Sequence, residues 1–126
     1  LLYECDEEKV NLERELNIKF DSLLTDKDIV VDTVVTALPE NFKTGIHDFY
    51  LRTLQNLKPG LTYFIIHTAL DDEEMRAVTI GFTDWGSAWR QEEYNFFSSP
   101  ECEKTLKENN IYLVTWKEIG DKITRK

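Results

Sequence analysis

Apolar positions along the chain follow two rhythms, and each predicts a kind of element. Ile29 to Val35 (IVVDTVV), Leu61 to His67 (LTYFIIH) and Ile111 to Trp116 (IYLVTW) are short, nearly continuous runs of β-branched and aromatic residues, as in buried strands. Between them the period is helical. Ile46, Phe49, Tyr50, Leu54 and Leu57 fall on one face of a helix predicted over Thr44 to Leu57, which Pro59-Gly60 ends. A second helix is predicted from Trp85 to Phe97. A third opens with Ser99 as N-cap and Pro100 at the first helical position, and runs to Asn109. Upstream, Asp6 to Leu16 reads as a charged helix whose first-turn acids meet the helix dipole. Asn17 is a left-handed cap leading into a short strand, Ile18 to Phe20. Lys117 to Ile123 is a short closing helix.

Strands alternating with helices, with crossovers of a dozen residues or more, predict a parallel α/β sheet. No repeat, low-complexity tract or linker divides the chain, so residues 1 to 126 read as a single partial domain. Three or four parallel strands make half of a barrel, or a small open sheet. Such a half leaves open edges, which predicts a homo-oligomer or association with an N-terminal half.

The chain has 126 residues, enough for one core but short for a full barrel. Its 41% hydrophobic and 31% charged fractions belong to a globular chain. A formal charge of -9 repels phosphate backbones, so nucleic acid is not an expected partner. The longest apolar stretch, Ile29 to Leu38, is interrupted by Asp32 and too short to span a bilayer. The chain starts at Leu1 without Met, which leaves the compartment open between cytoplasm and export. Cys5 and Cys102 belong to no ligand spacing, which excludes a cysteine zinc site and favours two unpaired thiols over a disulfide.

Several residues could carry chemistry. His67 ends a buried strand, where parallel α/β folds place catalytic side chains, and a neutral imidazole there serves as general acid or base. The alternative is a histidine hydrogen-bonded in the rim without a chemical task. Asp71-Asp72-Glu73-Glu74 follow. Consecutive acids rarely converge on one ion, so they read first as a charged helix start, with Asp71 or Asp72 available to orient His67. Trp85 and Trp89, four apart, would stack along a helix beside Arg90. Aromatic faces next to a guanidinium suit sugar rings, although aromatics at this spacing are more often core. Asp32 interrupts a strand and must be paired or face a cavity, while His47 reads as a surface residue. No nucleophile elbow, P-loop or dinucleotide fingerprint is present.

The segments LKPGLTYFIIHTALDDEEMRA, WRQEEYNFFSSPE and LKENNIYLVTWKEI, from Leu57 onward, resemble the C-terminal part of YdjC-like carbohydrate deacetylases. That group includes the chitooligosaccharide deacetylases. The resemblance covers about half the chain, with ERELNIKF a looser match. It implies a distorted (β/α) barrel that removes acetyl groups from N-acetylated oligosaccharides. It also implies a divalent metal, Mg or Zn, held in the full-length parent by one Asp and two His of the N-terminal half. None of those three ligands has a counterpart in this chain, so no metal is expected to be held by it. By the same resemblance His67 protonates the leaving amine and Arg90 lies at the active-site rim. The family usually continues its histidine with Pro-Gly, whereas Thr68-Ala69 stand here. Two expectations result: a deacetylase portion inactive alone, or a non-catalytic acidic α/β binding or assembly module.

Overall fold

The computed structural model describes residues 29–82 and 84–124. The readings at Cys5, 6–16 and 18–20 lie outside the described residues. The chain divides into two units, Val30–Leu113 and a second whose described part is Ile29 with residues 114–124.

In the first unit, strand β1 (Thr33–Thr36) pairs in parallel with β2 (Thr62–Ile65), and helix α1 (Pro39–Gln55) crosses between them. The register sets Val34 against Tyr63 and Val35 against Phe64. α2 (Glu73–Val78), α3 (Ser87–Phe97) and α4 (Pro100–Glu108) follow. The architecture is mixed α/β with a two-stranded parallel sheet among the described residues.

Both strands are shorter than their apolar runs, and each begins just after a hydrogen-bonded clasp between Asp32 and Leu61. Asp32 N donates to Leu61 O (2.9 Å), and Leu61 N returns to the Asp32 carboxylate (2.7 Å). Asp32 is therefore paired, but it precedes β1 and is exposed rather than lying inside a buried strand. α1 starts at Pro39, not Thr44. Proline suits the first helical position, and Asn41 Oδ1 accepts from Leu38 N at 2.7 Å, satisfying the chain entry. Gly45, at φ 117°, then breaks the helix where the predicted one begins.

The core is aromatic. Ile46, Tyr50 and Leu54 of α1 meet Trp89 and Phe96 of α3 and Cys102 of α4, with Ala37 beneath them. Tyr50 stacks on Phe96 at 5.6 Å, and the Phe97 ring meets it edge-on at 4.8 Å. Burying a side chain the size of Phe96 contributes about 3 kcal/mol. α4 is capped at its N-terminus as its sequence predicts, and at its C-terminus by a turn that the sequence reading did not anticipate. Ser99 Oγ accepts from Cys102 N (3.1 Å), and left-handed Asn110 (φ 54°) closes a Schellman turn. In that turn Ile111 N donates to Leu106 O (2.9 Å) and Asn110 N to Lys107 O (3.3 Å).

The predicted third strand, Ile111 to Trp116, is not formed. Ile111 is consumed by the turn after α4. Thr115 caps helix α5 (Trp116–Ile119), its hydroxyl accepting from Glu118 N while the Glu118 carboxylate accepts from Thr115 N (2.8 Å). Only 112–114 remain between these caps, and Tyr112 and Leu113 are each 81% exposed. A run of β-branched and aromatic residues makes a strand only where a neighbour can pair with it. α5 runs into a π-helical turn, Gly120–Thr124, in place of a continuous closing helix.

Candidate functional site

Past the carboxyl end of β2, residues 66–72 run beside α3 and are fastened to it at three points. His67 N donates to Glu93 Oε2 (2.6 Å), Ala69 N to Arg90 O (3.2 Å) and Asp71 N to Gln91 Oε1 (2.8 Å). His67 lies two residues beyond the last strand position and is exposed. The backbone of this segment is thus held by a helix while the imidazole stays accessible.

Glu93 is the residue that sequence reasoning passed over. It is 2% exposed, yet every lone-pair direction in use is matched by a donor. Oε1 accepts from Tyr50 Oη (2.5 Å) and Trp89 Nε1 (2.9 Å), and Oε2 from His67 N. Short bonds to a carboxylate are the strong class. The Tyr50 phenol is pushed well above its ordinary range, first by burial and then by the Glu93 carboxylate it donates to. A signal did exist. Trp89, Glu93 and Phe96 share one helical face, so an acid sits where the period calls for an apolar residue.

Trp85 does not open α3, as its spacing predicted. It precedes the helix in a left-handed conformation (φ 55°), and Gly86 is the N-cap. For a bulky residue that backbone costs about 1–3 kcal/mol and persists only when its surroundings impose it. Arg90 Nε donates to Trp85 O (3.2 Å), and the Trp85 indole N–H reaches Ala37 O (3.4 Å). Arg90 therefore fixes the tryptophan's backbone. Even so, the Trp85 and Trp89 rings meet, 5.6 Å apart and 38° from parallel.

These two rings line an open cleft of about 320 Å³ with Phe42, Phe82, Arg76 and Asp84. Phe42 stacks on Trp89 at 5.0 Å with planes 12° apart, and Phe82 and Trp85 are exposed. The cleft offers apolar faces edged by one cation and one anion, which can stack a ring and bind its hydroxyls. Trp89 itself is a buried wall, while Trp85 presents accessible surface.

Asp71 and Asp72 both serve α2. Asp72 Oδ1 accepts from Met75 N (2.8 Å) as N-cap, and Asp71 Oδ1 pairs with Arg76 Nε (2.8 Å). Hydrogen bonds from Arg76 and then Ser87 hold the Asp71 carboxyl below its ordinary range. His67 is held instead through its backbone, by Glu93. His47 is a surface residue that bridges to Glu101 (2.8 Å). Cys102 is a buried free thiol, its pKa raised by burial. Among the described residues no group of three or more His, Cys, Asp or Glu is placed to hold a metal ion. Among the same residues no helix is long and apolar enough to cross a membrane.

Comparison with protein-family models and with curated proteins finds no match for the chain. The resemblance to carbohydrate deacetylases accordingly rests on the three segments quoted above.

Proposed function

We propose that this chain is the C-terminal part of a metal-dependent carbohydrate N-deacetylase acting on N-acetylated oligosaccharides. The observation that carries the reading is that one buried carboxylate, Glu93, binds both the His67 backbone and the Trp89 indole of the aromatic cleft. A candidate proton donor and the buried indole that backs the cleft are thereby tied to a single point. In this reading a sugar stacks on the exposed face of Trp85, with Arg76 and Asp84 binding hydroxyls at its edge. Once water has added to the acetamide carbonyl, His67 gives its proton to the amine nitrogen as the C–N bond breaks, and acetate leaves. The described residues do not supply a ligand set for a divalent cation, so Mg or Zn would be held by residues outside them. Half of a (β/α) barrel accounts for a parallel pair whose outer residues Val34 and Tyr63 are exposed, since parallel sheets are ordinarily covered on both faces. An N-terminal half, or a second copy, would cover that face.

The test is acetate release from chitooligosaccharides by the full-length protein that carries this chain. His67→Ala should lower kcat by about two to four orders of magnitude, the usual worth of a positioned general acid. A variant with undiminished turnover, or a wild-type protein that releases acetate from no N-acetylated sugar, overturns the reading.

A further inference from the structure

Glu93 poses a problem that packing alone does not answer. It sits on the apolar face of α3 between Trp89 and Phe96, both buried. Its hydrogen-bond donors are a phenol, an indole and a backbone amide, none of them a cation. Burying a carboxylate costs several kcal/mol, which three donors offset only in part, and a Met or Leu would fill the same helix face without that cost. What the acid adds is geometry. Two oxygens about 2.2 Å apart, an ordinary carboxylate spacing, fasten three elements: Tyr50 of α1, Trp89 of α3, and the chain as it leaves β2. Only a carboxylate offers acceptors on both sides. Glutamine of the same shape turns an N–H toward at least one of the three donors, and an apolar side chain accepts from none.

We propose that Glu93 is the positioning residue of the His67 site, holding the end of β2 against the Trp89 wall so that the imidazole is presented at a set place relative to a sugar in the cleft. This rests on the reading of His67 as the leaving-group acid. Glu93 itself touches neither substrate nor the reacting bond. Three features fit the assignment. The His67 N–H bond is short at 2.6 Å and comes from the only residue of the 66–70 segment fastened by a charged group. Ala69 N, two residues on, is held by the Arg90 carbonyl, so the chain is pinned to α3 at His67 and again just beyond it. The acceptor oxygen for Trp89 is the other half of the same carboxylate, so the side chain that holds His67 is itself anchored in the core.

The experiment has two independent arms. In the first, amide hydrogen exchange is followed by NMR on this chain, comparing wild type with Glu93→Met and Glu93→Gln. The His67 amide should be protected in the wild type and exchange at least about tenfold faster in Glu93→Met, the variant without an acceptor, while the β1–β2 ladder amides keep their rates. The Gln variant, closer in shape, guards against a Met variant that fails to fold. Unchanged His67 protection in folded Glu93→Met overturns the positioning role whatever the activity, and in Glu93→Gln it does so when the Trp89 indole N–H resonance is also unchanged.

In the second arm, the full-length protein carries the same substitutions and turns over chitooligosaccharide. kcat should fall about ten- to a hundredfold with KM changed less than about twofold, the pattern of a displaced catalytic group with substrate binding intact. Leu54→Ala, a core truncation outside the Glu93 network, supplies the control. It should lower stability while leaving kcat within about threefold. An equal loss of kcat in Leu54→Ala would reduce Glu93 to a stability residue and overturn the proposal. A wild-type protein that releases no acetate would sink the deacetylase reading instead, and the exchange arm still decides whether Glu93 holds His67.

Discussion

Replacing Tyr50 by Phe removes one oxygen from the centre of the core and little else. Tyr50 is fully buried (0% exposed), and its hydroxyl donates to Glu93 Oε1 at 2.5 Å. The ring contacts with Phe96 and Phe97 survive the change. What is lost is a charge-assisted bond to a buried carboxylate, worth about 1.5–3 kcal/mol net. Glu93 keeps its bonds from Trp89 and His67, so the larger penalty of an orphaned buried charge is avoided. With a urea slope of about 1–2 kcal/mol per molar, the unfolding midpoint should drop by about 1–2 M at pH 7.

The same pair predicts a pH signature. Burial and then the Glu93 carboxylate raise the folded Tyr50 pKa above the ordinary tyrosine value of about 10. Below pH 10 both folded and unfolded states hold the phenolic proton, and its contribution is complete. Above pH 10 the unfolded chain releases the proton while the native state keeps it. Stability then falls by about 1.4 kcal/mol per pH unit from this group alone. The Phe variant has no such group, and every other titrating residue is common to both proteins and cancels in the difference. The gap between wild type and Tyr50→Phe should therefore narrow between pH 10 and 11 by about 1 kcal/mol. Equal stability at pH 7, or a gap that stays constant up to pH 11, would refute the buried Tyr50–Glu93 bond.

Gly60→Ala should destabilise the chain by about 2–3 kcal/mol in urea unfolding. Its φ of 141° strains any L side chain, and the added Cβ would stand 2.7 Å from Asp32 Oδ2, displacing the carboxylate that accepts from Leu61 N. Gly81→Ala, also at positive φ but with open space around it, should cost only about 1 kcal/mol, and equal losses at both sites would show that the clasp contributes nothing. Ser99→Ala should cost about 1 kcal/mol by removing the acceptor for Cys102 N, read as a fall in midpoint without a change of slope.

Elements whose evidence is local were legible in the sequence. Ser99-Pro100 announced α4, the β-branched runs announced both paired strands, and their parallel order followed from the crossover between them. The failures share one cause, competition between a pattern and a local hydrogen bond. The IYLVTW run reads as a strand until Asn110 adopts the left-handed turn and Thr115 is claimed by Glu118. Trp85 reads as helical until its backbone turns left-handed and Gly86 takes the cap. Spacing still delivered the correct contact between the two tryptophans, because the rings reach each other across that turn.

The candidate site divides along the same line. His67, Trp85, Trp89 and Arg90 were visible because their side-chain types are rare and chemically pointed. Glu93 was not, because in a sequence it is one of 24 acids and looks like solvated surface beside Glu92. Burial decides the difference. Glu92 is exposed, whereas Glu93, one residue and about 100° further round the helix, faces the core. Its identity as an anchor depends on three donors that arrive from positions 50, 67 and 89. No spacing rule along one helix encodes a bond to the backbone of a strand end 26 residues away. An acid that shares a helical face with Trp89 and Phe96 must either break the pattern or be bound on every side. In this chain it is bound, and the bonds lead to His67.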